Sequence, residues 1–581
     1  MRRQRTIRVD RDVPVKMRDG VTLYVDIYRP DDSEKHPAIL TRTPYNKELA
    51  NRGDYLSSID AAFGGYAIVA QDVRGRFASE GVYPSLTDGL DGYDTVEWIA
   101  AEPWCDGNVG MWGGSAVAGT QYTAAFENPP HLRAIAPAIS RYGPLEEVCL
   151  LSGVTRFETS VSIIPQLALN VIDKMEKQGR DVTKVREMVN RLLYNREEVL
   201  NFLPLKEFPF VQFEFLRELF NVWLLNHIPG RVRSEADFFW PLEKVQVPCF
   251  HVGAWYDLHN GGMFKTFLKL KEVGGSQRAR EGQHLLYGPW VHGANRPPFT
   301  GSLFFGHLAG GGPSPVGERT SLSDRHLEFY DKYLRGMDID IPPIRYFIMG
   351  RNVWETADTW PLPETQWQRF FLHSKGHANS VGGDGWLSRD EPLKEEPDLF
   401  IYNPHFPVPT EGGRDLELTL RAGPMDQSHI EKRDDVLCYT TAELDTGIEV
   451  TGPIAIHLFA STSARDTDFT VKLVDVHPDS KAYNIADGIL RARYRKSILQ
   501  PELVTPGDIN EYCIDMGATS NLFLKGHRIR IDISSSNFPR YDRNMNTGNP
   551  LGEDARGIPA MQTVYHGARY ASYIDLPVIP R

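Results

Sequence analysis

A serine hydroxyl attacks a carbonyl only when a neighbouring base takes its proton, and a histidine base needs a carboxylate to fix its tautomer. The sequence supplies these types in the order Ser115, Asp257 and His292. Ser115 lies in "VGMWGGSAVAGTQ" (109–121), between Gly113-Gly114 and Ala116. Asp257 ends the apolar run "CFHVGAWYD" and His292 ends "HLLYGPWVH". Their combined chemistry would be acyl transfer: attack by serine, proton transfer through histidine, then hydrolysis of the acyl-enzyme. The nucleophile-elbow pattern Gly-x-Ser-x-Gly is incomplete, because Val117 occupies its last position. Ala116 and Ala118 are small enough for a tight corner.

Each of these residues also has a bland reading. A glycine-flanked serine is commonly a loop residue. With 17 histidines in the chain, one falling after a strand is no rarity. His251 lies inside an apolar run and reads as packed. Ser314, in "GGPSPVG", is flanked by prolines and reads as surface loop. Carboxylate-rich runs such as "DEPLKEEPD" (390–398) read as solvated. The agreement of three residues in chain order and in placement is what raises Ser115 above these readings.

The placement rests on the surrounding elements. "VPVKMRDGVTLYVDIYRP" (13–30) predicts a hairpin turning at Asp19-Gly20. "HPAILTRTPY" (36–45) and "GYAIVAQDVRG" (65–75) carry the short apolar runs of buried parallel strands, with helical spacing in "DYLSSIDAAF" between them. "TDGLDGYDTVEWIAAEPWC" (87–105) predicts a helix with Asp91, Asp94 and Glu97 facing water. "NVGMWGG" predicts a strand, and the helix after it stops at Pro129-Pro130. Such alternation predicts a doubly wound α/β sheet, with Ser115, Asp257 and His292 at the C-terminal ends of its strands, where open sheets present their ligand crevice.

Two further regions follow. Residues 146–240 contain amphipathic helical runs without strands between them, a helical insertion. Beyond about residue 355 the chain becomes strand-rich, with Gly, Pro and Asp turns, and predicts a β-sandwich of jelly-roll type. The resulting division is an α/β-hydrolase catalytic domain (1–145 and 241–355), a helical cap insertion (146–240) and a jelly-roll β-sandwich domain (356–581). A net charge of −12 disfavours a nucleic-acid partner. Five scattered cysteines without a C-x-x-C pair indicate neither a zinc ribbon nor a disulfide scaffold, and fit a cytoplasmic location. The basic N-terminus lacks an apolar core, so no signal peptide is expected, and no run is long enough to span a membrane.

These motifs together resemble the cocaine-esterase-like (CocE/NonD) hydrolases, relatives of X-prolyl dipeptidyl aminopeptidases and α-amino-acid ester hydrolases. The resemblance runs through "MRDGVTLYVDIYRP", "RTPYNK", "QDVRGRFASEG", "GNVGMWGGS", "GAWYD" and "GPWVHG", and through the C-terminal "DTDFTVKLVDVHPDSKAYNIADGILRARYR" and "GHRIRIDISSSNFPRYDRN". It implies the same triad, Ser115, Asp257 and His292. It adds an oxyanion hole formed by the Tyr45 hydroxyl and the Ala116 N–H, and a homodimer. The family commonly has Tyr and Gly where this chain has Ala116 and Ala118. The missing ring changes the pocket but leaves the backbone donor.

The expected function is hydrolysis of a small-molecule ester or amide without cofactor or metal. The alternatives with the same triad are an X-Pro-type dipeptidyl aminopeptidase and an acylase or acyltransferase. A non-catalytic binding protein using the jelly roll is the alternative of another class, and the triad order argues against it. The insertion, through "FETSVSIIPQLALNVI" and "FEFLRELFNVW", is expected to line the pocket. Trp223 there, and Trp112 and Trp255 beside the candidate serine and aspartate, are candidate pocket residues, although tryptophans in such runs are more often core.

Overall fold

The computed structural model describes residues 6–52, 55–83, 88–141, 143, 152–217, 239–293, 297–312, 321–416 and 421–580. Trp223, Ser314 and most of the second helical run of the insertion lie outside these residues.

The chain opens with an antiparallel hairpin, β1 (Ile7–Lys16) and β2 (Thr22–Pro30), turned through Gly20 at φ 89°. Then come β3 (His36–Thr43), β4 (Ala67–Asp72), β5 (Cys105–Gly114), β6 (Leu132–Ala138), β7 (Cys249–Tyr256) and β8 (Gln283–Val291). The last two strands of this sheet are β9 (Ile344–Ile348) and β10 (Val353–Ala357). Together they form a ten-stranded sheet in the order β1-β2-β4-β3-β5-β6-β7-β8-β9-β10. Every neighbouring pair from β4 through β9 is parallel. Strands β3, β4, β7 and β8 are buried at every position, because helices or other elements cover both faces. The core is therefore a mixed α/β sheet, as expected, with an antiparallel hairpin at each edge.

Helix α1 (Ser58–Phe63) connects β3 to β4, α2 (Asp88–Ala101) connects β4 to β5, and α3 (Ala116–Phe126) connects β5 to β6. Between β6 and β7 the described chain is helical, through α4 (Phe157–Lys177), α5 (Thr183–Tyr194) and α6 (Arg196–Asn201). These pack on one another through Phe157, Ile164, Val185, Val189 and Val199. Among the described residues no helix is long and apolar enough to cross a membrane.

Residues beyond 366 build an eleven-stranded, mainly antiparallel sheet. One apolar core joins the two regions: Trp255, Tyr287 and Phe347 from the first belong to the same cluster as Ile456, Tyr512 and Ile574 from the second.

Two sequence expectations are corrected. Asp91 does not face water: it is buried, and Arg74 donates to it through Nε at 2.9 Å and Nη2 at 2.5 Å. The run 390–398 is solvated only in part. Asp398 is fully buried, and Glu395 bridges His373 Nδ1 at 2.7 Å and His566 Nδ1 at 2.9 Å. In each case burial is offset by a cationic or hydrogen-bonding partner distant in sequence, which local polarity does not reveal.

Candidate active site

The C-terminal edge of the parallel strands gathers the residues of interest. Gly114 ends β5 and Ser115 follows at φ 59°, ψ −124°, just before α3. A non-glycine residue at positive φ is strained, and a sharp strand-to-helix corner that lifts a side chain off the sheet requires such strain. Neighbouring residues over-determine the corner. The Ser115 N–H donates to the Ala138 carbonyl at 3.0 Å. The Gln121 side chain donates to the Gly113 carbonyl at 2.9 Å and accepts the Ala136 N–H at 2.9 Å, tying α3 to the ends of β5 and β6. Gly113 is at φ 135°, and a Cβ there would lie 2.2 Å from Val117 Cγ1. Val117 can therefore stand where the elbow pattern has glycine, because Gly113 leaves the space its side chain fills.

Asp257 directly follows β7 and is buried. Its Oδ2 lies 2.5 Å from His292 Nδ1, and its Oδ1 accepts the His259 N–H at 2.7 Å. Burial works to raise this carboxyl, but His292, through charge and hydrogen bond, and His259 together hold it below its ordinary value. An ionised Asp257 can only accept, so the proton between them sits on His292 Nδ1. That leaves Nε2 as the basic nitrogen. His259 is itself neutral, since burial pushes its imidazole well below the ordinary value.

Ser115 and His292 line one cavity of about 430 Å³, and Tyr45, Trp112 and Ala116 line it too. Tyr45 is 38% exposed and lines this cavity. Its enclosed setting raises the phenol above its ordinary value, against the pull of Arg141, Arg76 and a hydrogen bond with the Ser115 side chain. Tyr45 is thus a protonated hydroxyl beside the serine. Ala116 is the first residue of α3, where N–H groups lack an intrahelical acceptor and the helix dipole favours negative charge.

The segment carrying Tyr45 is held from below. The buried Arg76 donates through Nε to the Pro44 carbonyl at 2.8 Å and through Nη1 to the Leu167 carbonyl of α4 at 2.6 Å. Asp72 accepts the Lys47 N–H at 2.7 Å and the Ala78 N–H at 3.2 Å. The far wall comes from α4, through Thr159, Ile163 and Gln166. Arg156, just before α4, donates to the Leu258 carbonyl at 2.6 Å, joining the helical segment to the Asp257 loop.

Of the expected pocket residues, Trp112 lines the cavity, and Trp223 lies outside the described residues. Trp255 is corrected. It is fully buried in the core shared with the strand-rich region, and its indole N–H donates to the Phe347 carbonyl at 2.8 Å. A register irregularity between Ala254 and Tyr256 places Trp255 and Tyr256 together in that shared core, while Ala254 packs in a separate cluster.

A family model for the X-Pro dipeptidyl-peptidase (S15 family) matches residues 19–294, and one for the X-Pro dipeptidyl-peptidase C-terminal non-catalytic domain matches residues 338–575. The chain is 37% identical to the cocaine esterase of Rhodococcus sp. (strain MB1 Bresler), over 98% of each chain. The chain belongs to the cocaine-esterase-like (CocE/NonD) serine hydrolases. Among solved structures it is similar to an aminopeptidase from the marine sediment archaeon Thaumarchaeota archaeon, with TM-score 0.76 and 25% identity over 99% of this chain and 97% of that one. An α-amino acid ester hydrolase shares the fold, with TM-score 0.73 and 23% identity over 100% of this chain and 97% of that one. The protein is accordingly a serine hydrolase of ester or amide bonds.

Several residues that build this hydrolase's site escaped the sequence reading. Gln121 and Arg76 act through buried carbonyl contacts, and nothing in their local spacing marks them. His259 had a signal, its position two residues after Asp257, but a histidine there could equally be packed. Arg141, which also lines the cavity, follows β6 at the same sheet edge as Ser115, and that placement was the available signal.

Proposed function

We propose that Ser115, His292 and Asp257 form the catalytic triad of this hydrolase, and that Tyr45 and the Ala116 N–H form its oxyanion hole. Ser115 Oγ attacks the substrate carbonyl while its proton passes to His292 Nε2. Negative charge develops on the carbonyl oxygen and is met by the Tyr45 hydroxyl and the Ala116 N–H. Collapse expels the alcohol or amine, which takes the proton from His292, and leaves an ester on Ser115. Water then attacks that ester, giving its proton to His292; the acid departs and the proton returns to Ser115. Asp257 keeps Nδ1 protonated and stabilises the imidazolium in both halves.

The observation that carries this reading is the convergence on one cavity of the strained Ser115, a histidine bonded to an ionised carboxylate, and a protonated tyrosine hydroxyl. We take α4–α6 to be part of a cap over the cavity (146–240) and the strand-rich region (356–581) to be a jelly-roll β-sandwich. Strands β7 to β10 complete the sheet that carries Ser115, which supports a catalytic part completed by 241–355, although the C-terminal family match already begins at 338. Among the described residues the cavity lining is largely apolar, through Leu49, Trp112, Val117, Ile139, Ile163 and Leu258, and includes no Asp or Glu to grip an ammonium. That favours an ester or amide with an uncharged acyl group over the ammonium-bearing substrate of an aminopeptidase.

A fluorophosphonate probe tests the assignment. It should label the wild type once, at Ser115, and Ser115→Ala should remove both label and turnover. Label on a peptide other than the one carrying Ser115 would overturn it.

A further inference from the structure

The strand-rich region holds a second arrangement of functional side chains, unconnected with hydrolysis. Strands Asp468–Val476 and Arg528–Ser534 pair antiparallel, with Val476 opposite Arg528. One step further along, His477 stands opposite His527. Because side chains alternate along a strand, Asp475 and His477 share a face, and His527 meets them there. A turn holds His477 in place: its N–H donates to the Lys481 carbonyl at 2.8 Å and its carbonyl accepts the Ser480 N–H at 2.9 Å.

The result is two imidazoles and one carboxylate whose donor atoms all lie within 4.8 Å of one another. His527 Nδ1 is 2.8 Å from Asp475 Oδ1, within hydrogen-bond distance. His477 Nε2 is 3.6 Å from Asp475 Oδ2, too long for a hydrogen bond. Ligand atoms sharing a tetrahedral zinc at ordinary bond lengths stand about 3.3 Å apart. The two histidine–carboxylate separations fall on either side of that value, each to a different oxygen of Asp475, and one donor atom from each residue lies within 4.8 Å of the others. Asp475 and His527 are nearly enclosed, while the His477 side chain is 27% exposed. An ion held here would have a partly dry floor and one side open to water.

We propose that Asp475, His477 and His527 form a binding site for a first-row divalent transition metal of the zinc, cobalt and nickel class. Two imidazole nitrogens with one carboxylate oxygen suit these borderline ions and do not suit calcium or magnesium, which take oxygen donors. Water completes the coordination sphere. The ion staples the turn after one strand to the turn before the other. Because it binds the folded chain and not an extended one, it raises the thermal midpoint of this region.

The test uses tag-free full-length protein, stripped with a chelator and dialysed. Calorimetric titration with Zn²⁺ should give one bound equivalent, and Co²⁺ should give the visible d–d bands of a low-symmetry nitrogen and oxygen site. His477→Ala carries the test, because it removes the most exposed ligand and leaves the buried Asp475–His527 pair intact. It should weaken Zn²⁺ binding by roughly 100-fold or more, abolish the Co²⁺ bands and abolish the metal-dependent rise in midpoint, given the cost of losing a directly bound ligand. Retained aryl-ester hydrolysis shows that the variant is folded. Three results would overturn the site: no bound equivalent in the wild type, an undiminished equivalent in His477→Ala, or loss of the equivalent in Asp32→Asn instead. The last of these would move the ion to the other cluster of such donors among the described residues, Asp32, Glu34 and His36.

Discussion

Two serine–histidine–carboxylate groupings can be compared among the described residues. In the first, at the edge of the ten-stranded sheet, Ser115 and His292 line a cavity and Asp257 holds His292 at 2.5 Å. In the second, in the strand-rich region, Ser374 Oγ lies 3.0 Å from His566 Nε2, and His566 Nδ1 lies 2.9 Å from Glu395 Oε2. By residue type and by its own contact distances the second also has the makings of a triad. Three physical differences separate them. Ser374 is buried and its hydroxyl is committed, donating to Asp398 at 2.8 Å and accepting the Gly376 N–H at 2.9 Å. His566 has its second nitrogen engaged as well, 2.9 Å from Asp398 Oδ2. Ser115 by contrast sits on a strained corner at a helix N-terminus, beside a tyrosine hydroxyl and open space for a substrate. A nucleophile is defined by what its surroundings leave unsatisfied, and a structural network is defined by having satisfied everything.

The largest expected contrast is between the serines themselves. Ser115→Ala should lower kcat by roughly 10⁴-fold or more, since triad members act as a unit. Substantial residual turnover on the best substrate, with contaminating esterase excluded by probe labelling, would falsify the triad.

Tyr45→Phe sharpens the comparison by removing the hydroxyl that stands beside Ser115 in the cavity. Loss of one oxyanion donor costs roughly 10²–10³ in kcat, about 3–4 kcal/mol, with a smaller change in KM. If single-turnover rates instead stayed within about twofold of wild type, the hydroxyl would be a packing group and no oxyanion donor.

The third prediction tests the structural constellation. Burial works to raise the Asp398 carboxyl, but bonds from His566, the Ala378 N–H and the Tyr439 hydroxyl outweigh it, and its folded-state pKa lies below the ordinary 3.8. The sign follows from linkage: this stabilisation is fully present above about pH 4 and is lost as pH falls through the lower folded-state value. Asp398→Asn should therefore cost about 1–3 kcal/mol at pH 7, from buried donors left without their charged acceptor, and the difference from wild type should shrink in acid. Denaturant melts at a series of pH values measure it. A gap that widens on acidification would mean that the carboxyl is not held ionised.

The smallest effect belongs to Ser374→Ala. It should cost about 1 kcal/mol of stability and leave kcat within about twofold, the mirror image of Ser115→Ala. A large fall in kcat with an unchanged melting curve would erase the distinction between the two constellations.

Legibility in the sequence divides along the same line. Ser115, Asp257 and His292 could be read because each ends an apolar run, and strand ends are local features. The mixed sheet, the helical stretch after β6 and the strand-rich remainder were legible for the same reason. Asp91 and Asp398 were misread as solvated, because the partners that make their burial tolerable, Arg74 and His566, are brought in by tertiary structure alone. Trp255 was misread because alternation assigns a residue to one of two faces without saying what covers each. The cavity wall from α4 was expected from the insertion as a whole, but which of its faces turns inward is set by contacts such as Arg156 to the Leu258 carbonyl.

Arg76 has a consequence for selectivity. One buried guanidinium grips the carbonyl before Tyr45 and a carbonyl of α4 at once. On the proposed function, the wall that would face the acyl group and the loop that would stabilise the transition state are therefore two ends of a single tether. An oversized acyl group that displaces α4 also drags Tyr45 off its mark. Poorly fitting substrates should then be rejected chiefly through slow turnover, so the enzyme can hold a wrong ester without processing it, and such esters become competitive inhibitors of the right one.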